Sequence, residues 1–134
     1  MQIMVDANIV YSAMWKSSSL TAEVLRHIKK NHTLVMSKYT LAEVDSVFYE
    51  KRYNDYDSLI QDLYNLPDII FHCDLKDLDK YPFIKDVDDI PVLAYAMEAE
   101  VDILITGDND FDIVRILKPK IMKPREYREI FMMN

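Results

Sequence analysis

Carboxylates follow apolar runs near both ends of the sequence. The run "QIMV" is followed by Asp6, and the run "VDILIT" is followed, after one glycine, by Asp108, Asp110 and Asp112. Short apolar runs of this kind predict buried strands. Clustered carboxylates repel one another unless protons or cations neutralise them, and their oxygens are the ligands that Mg²⁺ and Mn²⁺ prefer. The pattern therefore indicates a divalent-cation site, and such ions promote hydrolysis at phosphoryl groups.

Gly107, the only glycine of the chain, stands between the second run and Asp108. Glycine adopts positive φ angles, or lets another backbone approach closely, without a steric penalty. We therefore expect Gly107 to permit an abrupt turn out of the strand. Thr106 and Asp108 would then lie at the rim of the sheet.

Helix capping gives the aspartates an ordinary explanation. Asp6, Asp89 and Asp108 each precede a predicted helical segment, and aspartate is a favoured N-cap residue. For Asp108 taken singly, capping is the better interpretation, and for Asp89 the two interpretations are balanced. The flanking Asp86 and Asp88 either solvate a loop or share the role of Asp89.

Glu43 also has two interpretations. The segment "TLAE" matches a capping box, in which Thr40 is the N-cap residue and Glu43 reaches back to it. Glu43 also lies at the border of the apolar helical stripe formed by Leu41, Val44 and Val47, where a side chain can face a cleft. Both interpretations stay open at this point.

The predicted elements alternate between strands and helices. We predict strands at 2–5, 32–37, 68–73 and 101–106, helices near 8–15, 20–30, 38–52, 55–66 and 90–100, an acidic irregular connection over 74–88, and a short helix, an edge strand and a terminal helix after 108. This alternation predicts a single-domain α/β sandwich with a parallel sheet whose apolar strands are covered on both faces. Ligands bind beyond the carboxyl ends of such strands, which is where Asp6 and Asp108 would lie.

Composition narrows the class of protein. The 134 residues are half hydrophobic and carry a net charge of −7, which is typical of a globular domain. No apolar run reaches the length of a membrane span, and the N-terminus lacks the features of a signal peptide, so we expect a cytoplasmic protein without membrane contact. Cys73 is the single cysteine, which excludes an internal disulfide.

The net charge does not decide whether the chain binds nucleic acid. Phosphate contacts require Lys and Arg, and the chain is acidic overall. Carboxylates that hold a cation would inflate the negative count, however. Five basic residues also cluster near the C-terminus: Lys118, Lys120, Lys123, Arg125 and Arg128. These residues either hold phosphates or form an ordinary solvated surface.

Three blocks of the sequence resemble the PIN-domain ribonucleases, especially the VapC-like toxins of toxin–antitoxin pairs. The blocks are "IMVDANIVYSAM", "SKYTLAEV" and "DVDDIPVLAYAMEAEVDILITGDNDF". They occur in the order of the family and extend along nearly the whole chain, and the third is long and fairly specific. The resemblance implies a PIN-like three-layer α/β/α sandwich with a short, mainly parallel sheet, formed by one nuclease domain over residues 1–134.

The resemblance also implies the site. The residues that match the metal-binding, catalytic acids of the family are Asp6, Glu43, Asp89 and Asp108, with Asp110 as an additional metal ligand. Asn8 and Thr106 match the polar residues that orient these acids. Asp89 is preferred to Asp88 because of its spacing to Pro91 and Ala94. Ala7 stands where many members have threonine, and alanine also occurs there.

The activity implied by the resemblance is metal-assisted hydrolysis of RNA by one or two Mg²⁺ or Mn²⁺ ions. The products would carry 5′-phosphate and 3′-hydroxyl ends. The partners implied are an RNA substrate, a cognate antitoxin protein and a second copy of the chain in a homodimer.

Two other functions compete with this interpretation. A PIN-like module could bind RNA or protein without cutting, although the presence of all four acids disfavours loss of activity. A phosphoacceptor signalling domain is also a short acidic α/β fold, but it needs an acidic pair after the first strand and an acceptor aspartate after the third. Here Asp6 is alone after the first strand, and the third ends at "FHC".

Overall fold

The computed structural model describes residues 1–81 and 87–133. The strands in this part of the chain are β1 (Gln2–Val5), β2 (Thr33–Ser37), β3 (Ile69–Phe71), β4 (Ile103–Ile105) and β5 (Lys120–Met122). The α-helices are α1 (Ala7–Trp15), α2 (Leu20–Asn31), α3 (Lys38–Lys51), α4 (Tyr56–Asn65), α5 (Ile90–Glu98) and α6 (Pro124–Tyr127). Short 3₁₀ helices cover Tyr53–Asp55, Leu78–Lys80, Val87–Asp89 and Asn109–Phe111, and a π-helical turn, Arg128–Met132, follows α6.

The five strands form one sheet in the order β3-β2-β1-β4-β5, and every pairing is parallel. The chain builds outward from β1 through β2 to β3 on one side, and adds β4 and β5 on the other. The boundary between β1 and β4 is therefore the point at which the winding reverses, where open parallel sheets bind ligands. In this register Val5 pairs with Ile105, so both strands end level with each other.

Apolar residues cover both faces of the sheet, because successive side chains of a strand point to opposite faces. Ile3 and Val5 pack into one core with the apolar sides of α1, α2 and α3, whereas Met4 packs into a second core with α5. The predicted three-layer α/β/α sandwich with a parallel sheet is confirmed.

The expectation that all strands are covered on both faces is wrong for β3. Ile69 and Ile70 are 40% and 44% exposed. β3 is a three-residue strand at the edge of the sheet, so within residues 1–81 and 87–133 it pairs with a strand on one side only.

The start of α3 differs from the capping box predicted at "TLAE". The N-cap residue is Ser37, whose Oγ accepts a hydrogen bond from the Thr40 backbone N–H at 3.0 Å. β2 ends at Ser37 and leads directly into the helix, so α3 begins three residues earlier than a Thr40 cap requires. Glu43 consequently lies in the second turn of α3, too far along to reach back to the cap.

In residues 1–81 and 87–133, no helix combines the length and the apolarity that crossing a membrane requires. Residues 82–86 of the predicted irregular connection over 74–88, which include Asp86, lie outside the described residues.

Candidate metal centre

Asp6 is buried at the junction between β1 and α1. It is the N-cap residue of α1, and 5% of its surface is exposed. Its Oδ1 accepts a hydrogen bond from the Ala7 backbone N–H at 2.7 Å, and its Oδ2 accepts one from the Thr106 hydroxyl at 2.8 Å. Asp6 therefore caps α1 through one carboxylate oxygen and contacts Thr106 through the other, and its role as a metal ligand stays a prediction.

A chain of hydrogen bonds continues from Thr106 into the segment after β4. The Thr106 Oγ1 accepts a hydrogen bond from the Asp108 backbone N–H at 3.1 Å. Asp108 caps the 3₁₀ helix at Asn109–Phe111, because its Oδ1 accepts from the Asp110 N–H at 2.9 Å. Thr106 thus fixes Asp6 and Asp108 relative to each other, and Asp108 fixes the start of the segment that carries Asp110.

The backbone at Gly107 has neither the positive φ angle nor the close approach that glycine suggests. Its φ angle is not positive, and a Cβ atom added to it would meet one neighbour, the Ile9 Cδ1, at an ordinary 3.9 Å. The turn out of β4 therefore requires neither a left-handed backbone nor a close approach. Thr106 and Asp108, rather than the glycine, shape this junction through their hydrogen bond.

Three carboxylates converge beyond the sheet. One oxygen from each of Asp89, Asp108 and Asp110 lies within 4.8 Å of the others, and the three side chains are partly buried. Asp89 occupies the N-cap position of α5 without making a side-chain capping bond. An all-oxygen anionic donor set of this size suits a hard divalent cation such as Mg²⁺ or Mn²⁺. The residues present therefore fit the ion that the sequence suggests.

The pKa of the Asp6 carboxyl is raised, mainly because the group is buried. The hydrogen bonds from Thr106 and Ala7 oppose this rise, and the charge of Asp108 adds to it. A bound cation would relieve the same penalty, since it favours the ionised carboxylates.

Glu43 lies beside the acidic cluster, not among the three converging carboxylates. Although much of its surface is exposed, partial loss of water around its carboxyl raises its pKa, and the charges of Asp6 and Asp88 add to the rise. Glu43 also lines a small cavity of about 230 Å³ together with Asn8 and Tyr11. The interaction with the charges of Asp6 and Asp88, rather than this cavity, links Glu43 to the acidic cluster.

The two predicted supporting residues differ in what they do. Thr106 contacts Asp6 and Asp108 directly, as described above. Asn8 is exposed, and its side chain makes no hydrogen bond to any other residue that the structure describes. Asp88 is exposed next to Asp89 and contributes its charge to the surroundings of Glu43.

Tyr39 is a residue of this site that the sequence analysis missed. Its hydroxyl donates to the Asp88 carbonyl at 3.3 Å, and its ring stacks on Tyr95 with a centroid distance of 6.1 Å. Burial raises the pKa of Tyr39, and the charges of Glu43, Asp88, Asp89 and Asp6 add to the rise. Its position two residues after the end of β2 is the signal that could have identified it, because that edge of the sheet carries the site.

Comparison with known proteins agrees with this fold and identifies the family of the chain. A chain in the crystal structure of VapBC2 from Rickettsia felis bound to a DNA fragment from their promoter has a similar fold, with a TM-score of 0.69 and 20% sequence identity over 92% of this chain and 98% of that one. No curated protein matches the chain in sequence. The profile of the PIN domain matches residues 2–110, which include all of the converging acids. The chain therefore belongs to the PIN domain family.

Proposed function

We propose that this protein is a ribonuclease that depends on Mg²⁺ or Mn²⁺, and that residues 1–134 act as one nuclease domain. The observation that carries the proposal is the convergence of Asp89, Asp108 and Asp110 within 4.8 Å. They meet at the carboxyl edge of a parallel sheet in a chain that belongs to the PIN domain family.

Each acidic residue has a distinct part in this proposal. Asp89, Asp108 and Asp110 would hold the ion. When bound, such an ion activates water and stabilises the charge that develops on a phosphoryl group. Asp6 is too buried to be the main contact for substrate, and with Thr106 it sets the position of Asp108. Glu43 adds negative charge beside the acidic cluster, which would strengthen the attraction for a cation.

Electrostatics explain why this site would need a cation before RNA could approach it. RNA carries negative phosphates, and a cluster of free carboxylates would repel it. With a cation held between the carboxylates, the site attracts a phosphate instead. Thr106 and the backbone N–H groups of Asp108 and Asp110 keep the carboxylates fixed while this occurs, so little reorganisation accompanies the reaction.

We also propose that the protein is the toxin of a type II toxin–antitoxin pair, silenced by a cognate antitoxin protein and assembled as a homodimer. The support is the similarity to a chain of the VapBC2 structure, which was solved with promoter DNA. Co-expression tests this role. Expression of the chain should arrest growth, and the product of the adjacent reading frame should relieve the arrest and co-purify with the chain.

Cleavage of a labelled single-stranded RNA tests the activity. We expect cleavage with Mg²⁺ or Mn²⁺, none with EDTA, and products with 5′-phosphate ends. The variants Asp89→Asn and Asp108→Asn should lower the cleavage rate by at least about 100-fold, since each removes a charged donor from the cation site. Asp62→Asn, at an exposed position of α4, is the matched control and should cleave like the wild type.

Two results would overturn the proposal. The first is wild-type protein that binds Mn²⁺ and RNA without cutting under any metal condition, which would identify a non-catalytic module. The second is unchanged cleavage by Asp89→Asn and Asp108→Asn, which would place the activity elsewhere or in a contaminant.

A further inference from the structure

A groove with a volume of about 510 Å³ is lined by Asp108 of the acidic cluster and by residues of β5. Apart from Thr106 and Asp108, its lining residues come from the segment 111–126. The match to the PIN domain ends at residue 110. Nearly all of the groove is therefore built by the part of this chain that follows the family match.

Two cations in the groove form no ion pair with any carboxylate that the structure describes. Arg115 donates from Nη1 to the backbone carbonyls of Asp112 at 2.6 Å and Val114 at 3.2 Å. These two acceptors are uncharged carbonyl groups, so they orient the guanidinium without neutralising it. Lys120 is exposed on β5 and forms no ion pair with any residue in the described ranges.

Lys123 contacts two of the acidic residues that line the groove, Asp112 through its ammonium group and Glu126 through its backbone N–H. Its Nζ donates to Asn109 at 2.5 Å and lies 3.5 Å from the Asp112 carboxylate. Its backbone N–H donates to Glu126 at 3.4 Å. Lys123 therefore offsets part of the negative charge beyond Asp108, and it ties the 3₁₀ helix of Asn109–Phe111 to the end of β5.

The floor of the groove is apolar. Val114, Ile116 and Ile121 line it and are only partly exposed. A strip that combines free cations with an apolar floor matches the chemistry of a single-stranded nucleic acid, which presents phosphates on one side and base faces on the other. A metal-ion site at the end of the strip adds a further point of contact for a phosphate.

We propose that this groove binds the single-stranded segment of RNA on one side of the bond to be cut. Arg115 and Lys120 contact two of its phosphates, and the apolar floor supports its bases. The inference rests on the proposed ribonuclease activity, because the same strand must reach the acidic cluster. It assigns a substrate-binding role to the residues after 110.

Fluorescence anisotropy with a labelled single-stranded RNA of mixed sequence tests the proposal. The measurement uses the 134-residue chain carrying Asp89→Asn, so that the RNA stays intact. This background is compared with the same chain that also carries Arg115→Gln and Lys120→Gln. We expect the double change to weaken RNA binding by at least tenfold at low salt. The slope of log affinity against log salt should fall in magnitude by about 1.4, since each lost contact with a single strand contributes about 0.7.

The matched control carries Arg26→Gln and Lys30→Gln on α2, which changes the net charge by the same amount. Arg26 also donates to a backbone carbonyl, that of Ser17 at 3.0 Å, and no residue of α2 lines the groove. The RNA affinity and the salt slope of this control should match those of the chain that carries Asp89→Asn alone. A Lys120→Arg variant should also bind RNA normally, because it keeps the charge.

Three outcomes would overturn the groove proposal. One is unchanged affinity and salt slope in the groove variant. Another is normal RNA binding together with lost binding of poly-L-glutamate, which would assign the groove to an acidic polypeptide. The third is a loss of Mn²⁺ affinity as large as the loss of RNA affinity, measured by calorimetry on wild-type protein that carries Arg115→Gln and Lys120→Gln. This result would assign the effect to the metal centre. Metal-dependent cleavage by the wild type is scored separately, so failure of the groove and failure of the nuclease proposal are distinguishable.

Discussion

The Thr106 hydroxyl donates a hydrogen bond to the Asp6 carboxylate at 2.8 Å, between residues that are 100 positions apart in the sequence. This bond crosses the boundary between β1 and β4, where the winding of the sheet reverses. The same threonine oxygen accepts the Asp108 N–H. One buried side chain therefore couples the two acidic junctions of the site.

Replacing Thr106 with valine removes the hydroxyl group but keeps the shape of the side chain, and we expect it to weaken both the fold and cation binding. The variant leaves an oxygen of buried Asp6 without its partner, which should cost about 1–3 kcal/mol of unfolding free energy. Affinity for Mn²⁺ should fall by about 10- to 100-fold, as for other residues that orient metal-binding groups. Chemical denaturation and calorimetry measure the two effects. Thr106→Ser keeps the hydroxyl and should recover most of the Mn²⁺ affinity; an equal loss in both variants would contradict the role of the hydrogen bond.

The raised pKa of Glu43 predicts a pH-dependent effect of Glu43→Gln on the metal-free protein. The folded state holds the Glu43 proton more tightly than the unfolded state does, so ionisation lowers stability as the pH rises above the ordinary value of 4.5. Glutamine removes this penalty. The variant should match the wild type below that pH, and its stability advantage should grow with pH until the folded-state pKa is passed.

Denaturation of both proteins in EDTA across this pH range checks the prediction for Glu43. Glu50→Gln, an exposed change in the last part of the same helix, controls for the loss of one negative charge. A constant stability difference between wild type and Glu43→Gln at all pH values would refute it.

The hydroxyl of Tyr39 should affect the metal centre through the segment Val87–Asp89. Tyr39→Phe removes the hydrogen bond to the Asp88 carbonyl and keeps the ring against Tyr95. A hydrogen bond of this kind contributes about 0.5–1.5 kcal/mol, so Mn²⁺ affinity should fall by a few-fold to about tenfold. Tyr64→Phe removes a hydroxyl that contacts Asp45 on α3 and should leave Mn²⁺ affinity unchanged. Equal Mn²⁺ affinities for the wild type, Tyr39→Phe and Tyr64→Phe would exclude an effect of the Tyr39 hydroxyl on the metal centre.

Gly107→Ala should be tolerated, contrary to what the isolated glycine suggests. The φ angle is already accessible to alanine, and the added methyl group makes an ordinary contact with Ile9. Alanine restricts the unfolded chain, so the variant should gain about 0.4–1 kcal/mol of unfolding free energy. Thermal unfolding and RNA cleavage measure the outcome. A loss of stability would mean that the junction needs a backbone shape that only glycine allows.

Ser37 and Thr40 should respond differently to loss of their hydroxyl groups. Ser37→Ala removes the N-cap bond of α3 and should cost about 1 kcal/mol. The Thr40 hydroxyl is buried without a hydrogen-bond partner in the described residues. Thr40→Val should therefore be neutral or stabilising, because it replaces an unsatisfied polar group with an apolar one of similar shape. The reverse order of stabilities, measured by denaturation, would support the capping box that the sequence suggests.

The apolar runs and helical periodicity were sufficient to predict the alternating elements, the parallel sheet and the junctions that carry Asp6 and Asp108. These features are local, since a strand followed by a polar junction has a pattern that a single stretch of sequence reveals. The resemblance to the PIN-domain ribonucleases added Asp89, Asp110 and the supporting role of Thr106.

Tertiary structure decided the features that depend on contacts between distant segments. The resemblance grouped Asp89, Asp108 and Asp110 as metal ligands, but only the structure gives the separation of their oxygens. Only the structure shows that Glu43 lies beside these three residues and not among them, and that Tyr39 reaches the Asp88 carbonyl. The residue type of Gly107 likewise suggested a special backbone conformation that the structure does not show. The conformation at this turn depends on how the flanking side chains are held, which the sequence does not show. The sequence by itself determined which groups lie at the carboxyl edge of the sheet, and the packing of that edge determined which of them meet.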